Sequence, residues 1–240
     1  METRLNNHSK NRILADLTDA EYQRLLPHLE RVNLSSGRII YEMGQPIEYL
    51  YFPFGSMISL VTQMEDGKVV EVGLVGSDGM SGISALLGEK RSPDRAFVQI
   101  PNGAARVRLE VIRDEFDRGE GIQKLLLRYA YVLMRQVSQT AACNAAHTAE
   151  ERLARWLLMC RDSVQSDDLN LTQEFIAEML GTRRATINVA AVTLQSAGLI
   201  NYNRGHIRII DNVGLAYFSC ECYEALKKTT DGFSRKSGGG

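Results

Sequence analysis

Apolar and polar positions follow two different rhythms along this chain. In the first hundred residues they form short runs rich in β-branched and aromatic side chains. These are Arg38-Ile39-Ile40-Tyr41, Tyr49-Leu50-Tyr51-Phe52, Met57-Ile58-Ser59-Leu60-Val61, Val69-Val70-Glu71-Val72-Gly73-Leu74 and Ala96-Phe97-Val98-Gln99-Ile100. Gly37, Gly44, Gly55, Asp66-Gly67, Gly76 and Asn102-Gly103 separate them as turn formers. Short strands at such even spacing predict a sandwich or barrel-like roll, and Asp66-Gly67 is the clearest hairpin signal. All five prolines lie at or before Pro101, as expected if strands precede helices.

From about Val111 the period lengthens. Ile122 to about Ala145 contains neither Pro nor Gly, which predicts a helix of about six turns. Ile122, Leu126, Tyr129, Leu133 and Val137 recur at helical spacing, and Leu125, Leu127, Ala130, Val132 and Met134 widen the stripe beyond one side. Such a helix needs two apolar partners: its own roll, and the same helix of a second subunit. Burial in a single core is the alternative. Thr148-Ala149-Glu150-Glu151 has capping-box spacing, so another helix is expected from Thr148 to about Ser163, with Asp167-Asp168 marking a loop.

The segment Leu171 to Leu194 reads as two short helices around a tight turn. Thr172 is a natural N-cap, Phe175, Ile176, Met179 and Leu180 make one apolar face, and Gly181 suits a left-handed turn residue. Ala177 leaves room for a crossing helix whose Ile187, Ala190, Ala191 and Leu194 point inward. This pattern fits a helix-turn-helix. Arg183, Arg184, Thr186 and Asn188 then fall at the start of the second helix, where the motif reads base edges in the major groove. Leu199 to Ile210 alternates around Gly205 as a small hairpin or wing. It offers Arg204 and His206, with Thr172, to the phosphate backbone. An ordinary helical hairpin with a solvated basic face is the alternative.

Charge sharpens this picture. The 240 residues carry 28 Lys+Arg against 29 Asp+Glu, a formal net charge of −1, yet no acidic residue occurs between Glu178 and Asp211. The basic balance is therefore local, as a nucleic-acid surface requires. Composition is that of a folded protein, and no apolar run reaches the roughly 18–20 residues that span a bilayer. Met1 to His8 is polar without the apolar core of a secretion signal, so no membrane contact and a cytoplasmic location are expected. Ser234 to Gly240 reads as a flexible tail.

The helix-turn-helix, with Leu199-Ile200 and Arg204-Gly205-His206-Ile207 after it, resembles the C-terminal domain of the Crp–Fnr family of bacterial transcription regulators. Leu34-Ser35-Ser36-Gly37, Gly44, Tyr49-Leu50-Tyr51 and Gly55-Ser56-Met57-Ile58-Ser59-Leu60 are similar to that family's cyclic-nucleotide-binding-type roll. The resemblance implies an α+β, multi-domain chain. A jelly-roll-like sensor would occupy 13–121, a dimerisation helix and hinge 122–147, a winged helix-turn-helix 148–221 and a tail 222–240. It further implies a homodimer through helix 122–145 that binds double-stranded DNA, with RNA polymerase as a compatible partner. It places an effector pocket at Gly82, Arg95, Val137 and Ser138.

The departures are informative. Gly82-Ile83 and Arg95-Ala96 stand where cyclic-AMP receptors of the family carry Gly-Glu and Arg-Ser, and Ile83 cannot accept from ribose hydroxyls, which argues against cyclic AMP. Ala185 and Val189 replace the family's base-reading Glu and second Arg, so the operator should differ. No cofactor is expected. The N-terminal cysteine cluster of the iron–sulfur branch is missing, and Cys220-x-Cys222 is half a zinc site, expected as a packed or solvent-facing thiol pair without metal. Enzymatic function is not expected either. Arg38 to Ile100 has no histidine for a cupin-type metal centre, and no P-loop, nucleophile elbow or dinucleotide fingerprint occurs.

Overall fold

A computed structural model describes residues 10–233; the polar leader at Met1 to His8 and the tail at Ser234 to Gly240 lie outside them. Two short helices, α1 (Arg12–Ala15) and α2 (Asp19–Leu25), come first among the described residues. Asn11 caps α1 and also donates from Nδ2 to Pro53 O (2.9 Å) and Gly79 O (2.8 Å), which fixes this start against the roll. Thr18 and Glu21 form a capping box on α2, and Glu21 Oε1 accepts from Ile122 N at 2.6 Å.

Seven strands build the roll: β1 (Glu30–Leu34), β2 (Ile39–Tyr41), β3 (Tyr49–Phe54), β4 (Met57–Gln63), β5 (Val69–Val75), β6 (Arg95–Ile100) and β7 (Asn102–Arg108). They pair antiparallel in two sheets, β1-β7-β3 and β2-β6-β4-β5. Leu50, Phe52, Ile58, Val98, Ala105 and Val107, from both sheets, share one core. The Asp66-Gly67 hairpin joins β4 to β5 as expected. Asn102-Gly103 does not form the expected turn; it begins β7, the central strand of its sheet. A Cβ on Gly103 would stand 2.3 Å from the Phe54 ring, so this glycine serves close packing rather than chain reversal.

After α3 (Leu109–Asp117) comes α4 (Gly121–Ala146), about 39 Å long at 1.5 Å per residue. Its Ile122, Leu125, Leu126, Tyr129 and Val132 are buried in the roll core. Leu127 (45% exposed), Tyr131 (55%) and Met134 (61%) lie on another side. With exposed Ser138, Ala141 and Ala145 they step by alternate fours and threes, the spacing of a coiled-coil seam. The stripe therefore has one side buried in the roll core and one side exposed. At His147 the chain turns extended, and α5 (Ala149–Val164) starts on the expected capping box, with Thr148 N donating to Glu151 Oε2 at 2.8 Å.

Beyond β8 (Asp168–Asn170) lie α6 (Gln173–Met179), α7 (Arg184–Ser196), β9 (Ile200–Asn203) and β10 (His206–Ile209), with sheet order β8-β10-β9. The expected two-stranded wing thus gains a third strand from the supposed loop at Asp167-Asp168. A second core joins Trp156, Leu157, Ile176, Ile187 and Leu194 to Met57, Val61 and Leu74 of the roll. The last elements, α8 (Asn212–Phe218) and α9 (Cys222–Asp231), correct the expectation of a tail from residue 222. Cys222, Tyr223, Leu226 and Phe233 are buried, and Arg128 donates to Gly232 O at 2.6 Å, so this segment folds back along α4. No helix among the described residues is long and apolar enough to cross a membrane.

Candidate nucleic-acid interface

Helices α6 and α7 meet around a turn that the sequence specifies locally. Thr172 caps α6, its Oγ1 accepting from Phe175 N at 3.2 Å. Gly181 has φ +59°, and Thr182 N returns to Ala177 O at 2.9 Å, closing the turn over the small alanine. Ile187, Ala190, Ala191 and Leu194 are buried as expected, which commits the opposite face of α7 to solvent.

That face carries Arg183, Arg184, Asn188, Val189 and Val192, all exposed. Arg183 is the N-cap residue, and Arg184 opens the helix. Thr186 is only half-buried, at the edge of the face. Asn188 Oδ1 accepts from Gln173 Nε2 at 3.1 Å, a bond across the two helices that orients its amide. The wing turns through Arg204 (φ +47°) and Gly205 (φ +84°), the left-handed pair of a tight hairpin. A Cβ on Gly205 would lie 3.3 Å from Thr172 Cγ2, so the wing tip and the α6 cap are adjacent. Tyr202 N donates to Gln195 Oε1 at 2.7 Å, tying the wing to α7. Base-reading and backbone candidates therefore share one surface.

This surface is less uniformly basic than its sequence window. Asp168 of β8 stands 3.4 Å from His206 Nε2 and 3.9 Å from Arg208 Nε, and Glu174 lies 3.8 Å from Arg184 Nε. Both acids precede the acid-free stretch, and tertiary folding brings them to it. These pairs are exposed and loose, each worth less than about 1 kcal/mol.

Comparison with known proteins agrees with this geometry. Residues 151–218 match the Crp-like helix-turn-helix domain. The chain is 25% identical over 190 residues to the global nitrogen regulator of Synechococcus elongatus, covering 75% of this chain and 85% of that one. It is 28% identical over 206 residues to the transcriptional regulatory protein btr of Bordetella pertussis, with coverage of 78% and 79%. Residues 151–218 thus carry a Crp-like helix-turn-helix domain. Its fold aligns with FixK2 from Bradyrhizobium japonicum at a TM-score of 0.66 and 17% identity, covering 80% of this chain and 98% of that one. A CRP-family regulator from Thermus thermophilus aligns at 0.64 and 21% identity, with coverage of 79% and 96%.

Of the four residues assigned to an effector pocket by family resemblance, Gly82 and Arg95 lie on the roll and Val137 and Ser138 on α4. A Cβ on Gly82 would meet Leu50 Cδ2 at 2.4 Å, so it abuts the roll core. Arg95 pairs with Glu42 at 3.4 Å. Val137 and Ser138 are exposed on α4, and Ser138 donates to Met134 O at 2.9 Å within its own helix. Ile83 is buried.

Two features were not legible in the sequence. Trp156 of α5 donates to Glu71 Oε1 of β5 at 2.7 Å, and burial raises the Glu71 pKa to about 7. Phe175 of α6 meets Phe97 of β6 edge-on at 6.1 Å. The helix-turn-helix is thus seated on the roll. Secondly, Cys220-x-Cys222 is not an isolated half-site: the fold-back of α9 carries both thiols to Cys143 and His147 at the end of α4.

Proposed function

We propose that this chain is a dimeric, sequence-specific DNA-binding transcription regulator, with its roll as the controlling module and no enzymatic role. The observation that carries this reading is the exposed N-terminal face of α7, with Arg183, Arg184 and Asn188 beside a wing whose tip touches Thr172. Arginine donates bidentately to guanine and asparagine bonds adenine, so the face can read bases, with Thr186 at its edge. Thr172, Arg204 and His206 would contact phosphates, which set register without specifying sequence. The coiled-coil spacing from Leu127 to Ala145 supports pairing of two copies through α4, and two α7 helices would then read half-sites about 34 Å apart.

Selection from a random duplex pool, followed by binding measurements, tests this reading. Enrichment of a two-fold symmetric site is expected, with affinity that falls steeply as salt rises. Arg184→Ala should weaken binding about tenfold to a hundredfold and relax the preference at one base pair of each half-site. Arg204→Ala should weaken all sequences alike. If Arg184→Ala leaves affinity and base preference unchanged, that residue loses its role, and a failure to enrich any sequence would overturn DNA reading altogether.

A further inference from the structure

The DNA-facing surface makes no use of the four side chains gathered at the end of α4. Cys143 is in the last turn of α4, and His147 is the residue at which the chain bends into α5. Cys220 lies between α8 and α9, and Cys222 is the first residue of α9. One ligand atom from each of the four falls within 4.8 Å of all the others. Cys143 Sγ and Cys220 Sγ are 3.5 Å apart, and Cys222 Sγ is 3.6 Å from His147 Nδ1. A tetrahedral ion with bonds of about 2.3 Å to sulfur and 2.0 Å to nitrogen sets its ligands about 3.5–3.8 Å from each other. A disulfide needs sulfurs about 2.05 Å apart, and all four cysteines of the chain are free thiols.

We propose that Cys143, His147, Cys220 and Cys222 form a closed Cys3His site for a single zinc(II) ion, which clamps α9 to the bend between α4 and α5. Three thiolates and an imidazole are the soft-to-borderline donors zinc prefers, and four protein ligands leave no open position, so the site is structural. The surroundings fit. Glu221 Oε2 lies 3.2 Å from His147 Nε2, the outer carboxylate that holds a ligating imidazole with its other nitrogen toward a metal. Gln139 Nε2 donates to Cys222 Sγ at 3.1 Å. The three thiols are buried against one another in a cluster separate from the aliphatic cores. Arg152 and Arg155 supply positive potential toward the excess negative charge of three thiolates on a divalent ion. Binding releases the thiol protons to solvent and leaves the imidazole neutral.

Metal analysis of the full-length chain, purified under reductant, is the test, and it does not depend on DNA binding. One zinc per chain is expected. Cobalt(II) added to the metal-stripped protein should give the visible bands of a tetrahedral ion with a thiolate charge-transfer band, and zinc should bleach both. Cys222→Ser and His147→Ala should lose stoichiometric retention, whereas Cys160→Ser, a thiol buried elsewhere, should keep it. Zinc should also raise the melting temperature of stripped wild type but not of His147→Ala. A reduced wild-type chain that holds no zinc and gives no cobalt spectrum overturns the proposal even if the variants fail to fold. Undiminished zinc in both ligand variants overturns it as well.

Discussion

Replacing Glu71 by glutamine tests the contact that seats the helix-turn-helix on the roll. The Glu71 carboxyl is buried, with one oxygen accepting from Trp156. Burial lifts its pKa from 4.5 to about 7, and the Ser59 hydroxyl, the Trp156 hydrogen bond and the Arg155 guanidinium oppose this only in part. Below pH 4.5 the carboxyl is protonated in folded and unfolded chains alike. Between 4.5 and about 7 the unfolded chain has lost the proton while the folded chain keeps it, so stability falls as pH rises. Above that window both forms are ionised and the full cost of a buried carboxylate is present. At about 1.4 kcal/mol per pH unit, the window amounts to about 3 kcal/mol. Glutamine keeps an acceptor for Trp156 and never ionises. Relative to wild type, Glu71→Gln should therefore gain about 3 kcal/mol of stability between about pH 4.5 and about pH 8. Urea denaturation of both proteins across that range provides the check, because their difference cancels the other titrating groups. A difference that stays constant with pH would refute the raised pKa and the dry contact it reports.

Two further substitutions probe local geometry. Thr148→Ala removes the side-chain half of the capping box on α5 and should lower stability by about 1 kcal/mol in the same denaturation assay, with no change in zinc content. Gly181→Ala forces a side chain into a left-handed conformation and sets its Cβ 3.2 Å from Val70 Cγ2, so a loss of about 1–2 kcal/mol is expected. In a Val70→Ala background part of that loss should disappear, which double-mutant analysis will measure.

What could be read from the sequence was what local rules determine. The long helix shows as a stretch free of Pro and Gly, α5 and α6 by Thr148 and Thr172 at their caps, and the turn by Gly181 four residues after Ala177. Strand β7 escaped because Gly103, Ala104 and Ala105 are poor strand formers alone; they are selected by burial beneath neighbouring strands, including the Phe54 ring. Helix α9 left a trace in the spacing of Cys222, Tyr223, Leu226 and Phe233, but its partner, α4, is distant in the chain. The metal-ligand set was invisible for the same reason, since Cys143 and Cys220 are 77 positions apart. Likewise, a window free of acids in sequence acquires Asp168 and Glu174 in space.

Strand β5 is where these separate pieces become mechanically connected. Its Leu74 N donates to Gln136 Oε1 of α4 at 2.7 Å, its Glu71 accepts from Trp156 of α5, and its Val70 lies against the Gly181 turn between α6 and α7. Gln136 is flanked on α4 by Met134 and Val137, both exposed. A change in how two α4 helices pair would therefore reach the recognition helix through one strand and three named contacts. A molecule bound to the roll can shift α7 only by favouring one arrangement of those contacts over another, because equal affinity for both moves no equilibrium. Buried close packing makes such an arrangement discrete rather than gradual. The proposed zinc clamp would act at the other end of the same helix, holding the bend at His147 while β5 sets the seat of the helix-turn-helix. Control by the roll and integrity of the bend are then separable properties: mutations at Glu71 or Val70 should alter coupling without removing metal, and loss of a ligand should do the reverse.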